Sequence, residues 1–336
     1  MDCDVIRAAY RMATYAFLTA ALLIIPGCTS KEGRLPIGPA NVSGAELGRS
    51  LKEGGKTAIL LVSHGSHSPQ WRQMLLDFHD DVEQELLSLP GIHGVKSAFM
   101  EYTEPSIATQ LRAFDAEGYD AVILVPLLLT VSGHSFDDIP TIVGLKDDAA
   151  TLLTLKAEGI DRYEPRAKVE ITPLLDFSAL LESNLPRRIA ALSRQPSDEG
   201  IVLVAYGDQD YNEEWEAFFD RLDNVVREKT GVAEVRHCWC GHIVHYSPQP
   251  AVDAIRQTLQ TCERAIVIPV LVARDEYFQE QVIAAAVKQV DAGLQVAYAG
   301  DAILPDEGLN EWVVSAVRDA SIAGSDPGAT TEEQRP

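Results

Sequence analysis

Ala58-Ile-Leu-Leu-Val-Ser-His-Gly-Ser66 is the stretch whose reading decides the fold. Five apolar residues and a serine run into a histidine, and a glycine follows at once. A continuous apolar run of this length predicts a strand buried on both faces, as in a parallel sheet. His64 then falls at the strand's C-terminal end, where open α/β sheets gather their ligands. A histidine that merely hydrogen-bonds within a turn is the plainer alternative, and the flanking sequence has to separate the two.

Downstream, Ser68-Pro69 predicts a helix start, with serine as cap and proline at the first position. Trp71, Met74, Leu75, Phe78, Val82 and Leu86 fall on one helical face, and Pro90-Gly91 ends it. Val95 to Glu101 reads as a second strand, and Glu104-Pro105-Ser106 opens a second helix. Asp120 to Pro126 is a third buried strand, leading into Leu127-Leu-Leu-Thr-Val-Ser-Gly-His134. A helical region, a strand at Lys168–Thr172 and a helix from Asp176 to about Leu192 follow. Strands alternating with helices predict βαβ units and a parallel sheet.

The pattern then starts again. Gly200-Ile-Val-Leu-Val-Ala-Tyr-Gly207 mirrors the opening strand with Tyr206 in the place of His64, and Ala265-Ile-Val-Ile-Pro269 mirrors Val122-Ile-Leu-Val-Pro126. Tyr277 takes the place of His134. The predicted organisation is therefore two tandem Rossmann-like or flavodoxin-like α/β domains, at 56–195 and 199–322, the second a degenerate copy of the first. A small-and-polar tail, 323–336, trails off.

Arg7 and Arg11 precede an apolar run, Ala13 to Ile25, and then Pro26-Gly27-Cys28. The run is short for a membrane span and suits a signal-peptide core. Residues 1–28 thus read as a signal peptide with a lipoprotein-type cysteine, and Gly/Pro/Ser-rich residues 29–55 as a tether. Location outside the cytoplasm, with the membrane touched only through a lipid anchor, is the expectation. The formal charge of -22 disfavours nucleic acid as a partner. Cys238, Cys240 and Cys262 are too few and too oddly numbered for a disulfide scaffold.

With strand order 2-1-3-4, His64 and His134 sit on neighbouring strand ends, joined by Glu101 from the end of strand two. Imidazole nitrogens with a carboxylate suit cobalt, nickel, iron or zinc, and the same groups accept protons near neutral pH. In the second copy, His237-Cys-Trp-Cys-Gly-His-Ile-Val-His245 is a further cluster. On a strand, Cys238 and Cys240 share one face while His237 and Trp239 take the other, which opposes a single closed cage. A core strand with buried thiols and exposed loop histidines is favoured, although His242 and His245 stand where they can face the cleft.

Leu60-Leu-Val-Ser-His-Gly-Ser66, Ala98-Phe-Met-Glu-Tyr-Thr-Glu-Pro-Ser106, and Val125 to His134 with Asp138-Ile-Pro140 resemble the sirohydrochlorin cobaltochelatases and ferrochelatases. The likeness covers about 57–192 well and 200–320 more weakly. It implies an ATP-independent chelatase, using no nucleotide, that inserts a divalent metal into a tetrapyrrole such as sirohydrochlorin held in the inter-domain cleft. Cobalt is the expected metal, with nickel and iron left open. By motif match, His64 and His134 bind metal and accept pyrrole protons with Glu101 assisting, and Ser66, Tyr102, Ser132 and Gly133 contact the macrocycle. The alternative is a non-catalytic metal- or tetrapyrrole-binding protein on the same scaffold.

Overall fold

β1 (Thr57–Ser63) is buried at every position, as an unbroken apolar strand covered on both faces must be. The computed structural model describes residues 55–129, 132–172, 177–290 and 293–323. The signal-type segment with Cys28, the tether up to residue 54 and the tail beyond 323 lie outside the described residues. No helix among the described residues is long and apolar enough to cross a membrane.

In the first lobe β1 is followed by α1 (Pro69–Leu87), β2 (Ile92–Phe99), α2 (Ile107–Ala116) and β3 (Ala121–Pro126). A π-helical turn (His134–Asp138) runs into α3 (Ile139–Ile142), and α4 (Ala149–Glu158), β4 (Lys168–Ile171) and α5 (Phe177–Leu192) complete the unit. Ser68 caps α1, accepting from Trp71 N, and Ser106 caps α2, accepting from Thr109 N. β2 begins and ends earlier than its pattern suggested, so Glu101 lies in the turn beyond the strand.

The second lobe runs β5 (Glu199–Ala205), α6 (Asn212–Thr230), β6 (Glu234–Trp239), α7 (Gln249–Thr261) and β7 (Arg264–Pro269). A second π-helical turn (Tyr277–Ile283), α8 (Ala284–Val290), β8 (Val296–Tyr298) and α9 (Glu307–Ala323) follow. The sheets are wholly parallel, ordered β2-β1-β3-β4 and β6-β5-β7-β8. This is the predicted order, and it puts the switch point of the first sheet between β1 and β3.

The last helix of each lobe crosses over. α5 packs on α6 and β7 of the second lobe, and α9 packs on α1 and β3 of the first. Leu181, Leu185 and Ile189 of α5, and Leu309, Val313 and Val317 of α9, join one continuous core with inward residues of both sheets. The other sheet faces have private cores, one under α2 and the His134 turn, one under α7 and the Tyr277 turn. Arg188 of α5 ties the exchange down. Its guanidinium donates to both oxygens of Asp301, at 2.8 and 2.7 Å, and to the Pro269 carbonyl at 2.8 Å.

Candidate active site

Parallel strands deliver their C-terminal ends to one edge, and three turns meet there. Beyond the paired ends of β1 and β2, Met100 N donates to Ser63 O and Glu101 N donates to His64 O, which carries the ladder one step past the strands. Gly65 makes this approach possible. Its φ is +95°, and a Cβ built there would lie 2.0 Å from the Glu101 carbonyl oxygen.

His134 opens the π-helical turn after β3, and Asp138 follows one turn on. His134 Nδ1 lies 2.6 Å from Asp138 Oδ2, and His64 Nδ1 lies 3.0 Å from the Gly65 carbonyl. Both Nδ1 atoms therefore donate outward, which aims both Nε2 atoms at the cleft. The two Nε2 atoms are 3.2 Å apart, and His64 Nε2 is 2.9 Å from Glu101 Oε1. Two bare nitrogen lone pairs and a carboxylate oxygen converging so closely need a cation among them. A proton on His64 meets that need, and a divalent metal would meet it as well. The ligand atoms of His64, Glu101 and His134 lie within 4.8 Å of one another.

The electrostatics agree. Burial pulls the His64 imidazole down, but the hydrogen bond and charge of Glu101, the Gly65 carbonyl and Asp138 outweigh it, and the net shift is upward. Burial raises the Glu101 carboxyl, but the hydrogen bond to His64, the charges of His64 and His134 and the Tyr102 phenol bring it below its usual range. Glu158, at the end of α4, is raised by partial burial and then by the charges of Glu101 and Asp138. From sequence, Asp138 has a place in the Asp138-Ile-Pro140 motif but no role at the site, and Glu158 has neither. Asp138 was findable as an acid four residues after His134, whereas nothing in the sequence says where α4 ends in space.

Tyr102 has a left-handed backbone, φ 65°, and stays 57% exposed with its ring 6.1 Å from that of His64. A non-glycine residue held there marks a constrained corner beside the site. The His67 ring packs at a tilt against that of Tyr102, with centroids 4.6 Å apart. Ser66 reaches across the cleft and donates to Asp275 of the second lobe. Ser132 is buried against Ser135, with their hydroxyls 3.3 Å apart, and Gly133 leads into the His134 turn with open space where a Cβ would be.

The second lobe faces this cluster with different chemistry. Tyr206, at the end of β5, has its ring 6.5 Å from that of His64. Gly241 stands where Glu101 stands, since its N–H donates to Tyr206 O as Glu101 N–H donates to His64 O. A Cβ at Gly241 would meet the Tyr206 carbonyl at 2.4 Å and its ring at 2.8 Å. Tyr277 opens the second π-helical turn as His134 opens the first. Tyr206, Gly241 and Tyr277 thus occupy the positions of His64, Glu101 and His134. Tyr206 and Tyr246 share a hydrogen bond, and burial, reinforced by that pairing, holds the Tyr206 phenol protonated at every ordinary pH.

The cluster around β6 separates by face, as its alternation predicted. His237 turns to α6, with Nδ1 2.8 Å from Asp223 and Nε2 3.0 Å from Glu216, which also accepts from Trp239 at 2.8 Å. Cys240 is buried on the opposite face, with Cys238 packed against the same core. His242 faces the cleft, its ring 5.3 Å from that of Tyr206, and His245 is exposed.

The CbiX family matches residues 58–192. Over those residues the chain is similar to the CbiX family. The match spans the first lobe, from β1 through α5, and contains all three converging side chains. The sirohydrochlorin cobaltochelatase of Saccharolobus solfataricus is 31% identical over 90 residues, covering 27% of this chain and 66% of the relative. That of Methanothermobacter thermautotrophicus is 33% identical over 94 residues, 28% of this chain and 62% of the relative. The chain therefore spans just under two thirds of the length of these curated relatives. Among solved structures, the sirohydrochlorin chelatase SirB from Bacillus subtilis subspecies spizizenii, in complex with cobalt, superposes with a TM-score of 0.56 at 18% identity. That likeness covers 80% of this chain and 96% of the other, so it extends past residues 58–192 into the second lobe. DR2241 from Deinococcus radiodurans, a multi-domain protein, gives a TM-score of 0.55 at 15% identity, over 82% of this chain and 56% of that one. At these identities the likeness establishes a shared fold.

Proposed function

We propose that this chain inserts a divalent metal, cobalt in the first instance, into a tetrapyrrole held between its two lobes. The observation that carries the proposal is the convergence of His64 Nε2, His134 Nε2 and Glu101 Oε1 at the C-terminal edge of the first sheet. The similarity of the first lobe to sirohydrochlorin cobaltochelatases supports the same chemistry. Metallation puts a cation in place of two pyrrole protons, so a chelatase needs ligands that release their metal and bases that take protons. Neutral imidazoles do both, while a closed thiolate cage would hold the metal too well. In this mechanism His64 and His134 present the metal to the ring nitrogens, and the imidazoles then take up the displaced protons. Glu101 balances the resulting imidazolium charge, and Asp138 fixes the orientation of His134. We further propose that a lipid on Cys28 holds the domain pair to a membrane on its extracytoplasmic side.

The test is turnover. Purified protein is mixed with cobalt(II) and a metal-free tetrapyrrole, sirohydrochlorin and a dicarboxylate porphyrin side by side, and the absorption change of metallation is followed. The expected result is a rate above the uncatalysed one with at least one of them, abolished in His64→Ala. Stoichiometric binding of metal or macrocycle with no acceleration would make the protein a carrier instead.

A further inference from the structure

A second group of metal-ligating side chains lies outside the cleft, between the edge strand β6 and helix α6. His237 of β6 turns toward α6, where Asp220 and Asp223 stand three residues apart on one helical face. One ligand atom from each of Asp220, Asp223 and His237 lies within 4.8 Å of the other two. The histidine is held as metal-bound histidines are held. Its Nδ1 is 2.8 Å from Asp223 Oδ2, and its Nε2 is 3.0 Å from Glu216, whose other oxygen accepts from Trp239 Nε1 at 2.8 Å. A carboxylate on the far nitrogen fixes the ring and raises its basicity, which is how ligating imidazoles are supported from behind. Asp223 also has an oxygen to spare. Its Oδ1 is shut away from water with no hydrogen-bond donor. A buried acceptor left bare is costly, and a cation beside it offsets that cost. The exposed Asp220 carboxylate takes no hydrogen bond or ion pair among the described residues.

The duplication supplies an internal comparison. Ser97 of β2 pairs with Leu61 of β1, and His237 of β6 pairs with Leu203 of β5, so the two residues hold equivalent places. Helices α1 and α6 are both 19 residues long, and Asp77, Asp80 and Gln73 of α1 match Asp220, Asp223 and Glu216 of α6. The first lobe therefore has the two acids without the histidine or the supporting glutamate. Its Ser97 hydroxyl instead lies 3.1 Å from His79 Nδ1. The fold does not require His237 and Glu216 at these places, so a role of their own has to explain them. One imidazole with two carboxylates suits a divalent transition ion such as zinc. Calcium and magnesium take oxygen ligands, and copper(I) favours sulfur. We infer that His237, Asp220 and Asp223 bind a second divalent metal ion, separate from the one handled in the cleft. The metal takes the Nδ1 lone pair, the Nδ1 proton leaves to solvent, and Nε2–H stays on Glu216. Bound there, the ion ties α6 to the edge of the second sheet.

The experiment titrates zinc(II) into the full chain carrying His64→Ala and His134→Ala, which strips the cleft of its imidazole ligands, and follows binding by calorimetry. One zinc per chain is expected to bind, and saturation should raise the thermal midpoint, since the ion binds the folded state. Asp220 is exposed and bonded to nothing in the fold, so Asp220→Asn probes ligation without disturbing packing. On this background it should weaken zinc binding by about tenfold or more, at least the loss that follows removal of an outer partner. Glu214→Gln removes the same charge from an exposed position on α6 and should leave the affinity within about twofold, as expected of a screened surface charge. Absence of zinc binding to the double variant would overturn the inference. So would zinc binding that Asp220→Asn does not weaken, which would put the ion on other groups such as the Cys238 and Cys240 thiols. Equal weakening by Glu214→Gln would overturn it as well, by reducing the effect to diffuse negative charge. Each of these results leaves the chelatase reading of the cleft standing.

Discussion

At Gly65 an absent side chain holds the site together. Its left-handed φ and the 2.0 Å gap between a built Cβ and the Glu101 carbonyl leave room for glycine alone. Gly65→Ala is expected to cost about 2–4 kcal/mol, because the new methyl group meets backbone that cannot swing away. It should also weaken cobalt binding more than stability loss explains, since relief of the clash moves Glu101 away from His64. Denaturant unfolding and a cobalt(II) titration of the folded variant measure the two effects separately. Undiminished cobalt affinity would mean that the His64–Glu101 geometry does not depend on this glycine. His64, Glu101 and His134 were legible in sequence because each ends a recognisable strand or loop motif. Asp138 stands four residues after His134, a spacing that yields a contact once a helical turn follows the leucine-rich loop, whereas Glu158 was hidden because its proximity is purely tertiary.

Strand β6 shows what periodicity can and cannot give. Alternation placed His237 and Trp239 opposite Cys238 and Cys240 correctly. It could not name the partners, Glu216 and Asp223, which lie two turns apart on α6. Those carboxylates change the meaning of His237. Burial lowers its pKa, but their hydrogen bonds and charges prevail and push it up to about 9. With 12% of the side chain exposed, His237 is an imidazolium clamped between two acids. A folded-state pKa above the unfolded one stabilises fully below about pH 6.5, and that stability drains away as pH rises through about 9. The expected loss between about pH 6.5 and 10 is on the order of 2–3 kcal/mol, seen as a falling urea midpoint. In His237→Asn the same interval should show a much flatter response. A native midpoint that holds steady across it would mean that the imidazole is neutral in the fold.

At the scale of the molecule, the exchange of α5 and α9 decides how the chain folds. Each helix's apolar stripe was visible in the sequence, but a stripe says only that a face is buried, not on which sheet, and a local packing of each helix on its own lobe fits the pattern equally well. In the structure, Leu181, Leu185 and Ile189 are covered by the second lobe, and Leu309, Val313 and Val317 cover the first. Burying each such side chain is worth about 1.5–3 kcal/mol, so three on each side amount to about 5–9 kcal/mol, comparable with the entire stability of a typical domain. A lobe cut free loses the helix that covers it and bares the helix it lends. The full chain is therefore expected to unfold in one calorimetric transition, with calorimetric and van't Hoff enthalpies equal. A fragment of residues 56–195 should melt without cooperativity or associate, since two copies can trade their α5 faces. Arg188→Met should lower the single transition without splitting it, because Arg188 fastens α5 at the crossing but the shared core still couples the lobes. A monomeric 56–195 fragment with a sharp transition of its own, or two separate transitions in the full chain, would show that the lobes are independent and that the cleft is free to open about the crossing.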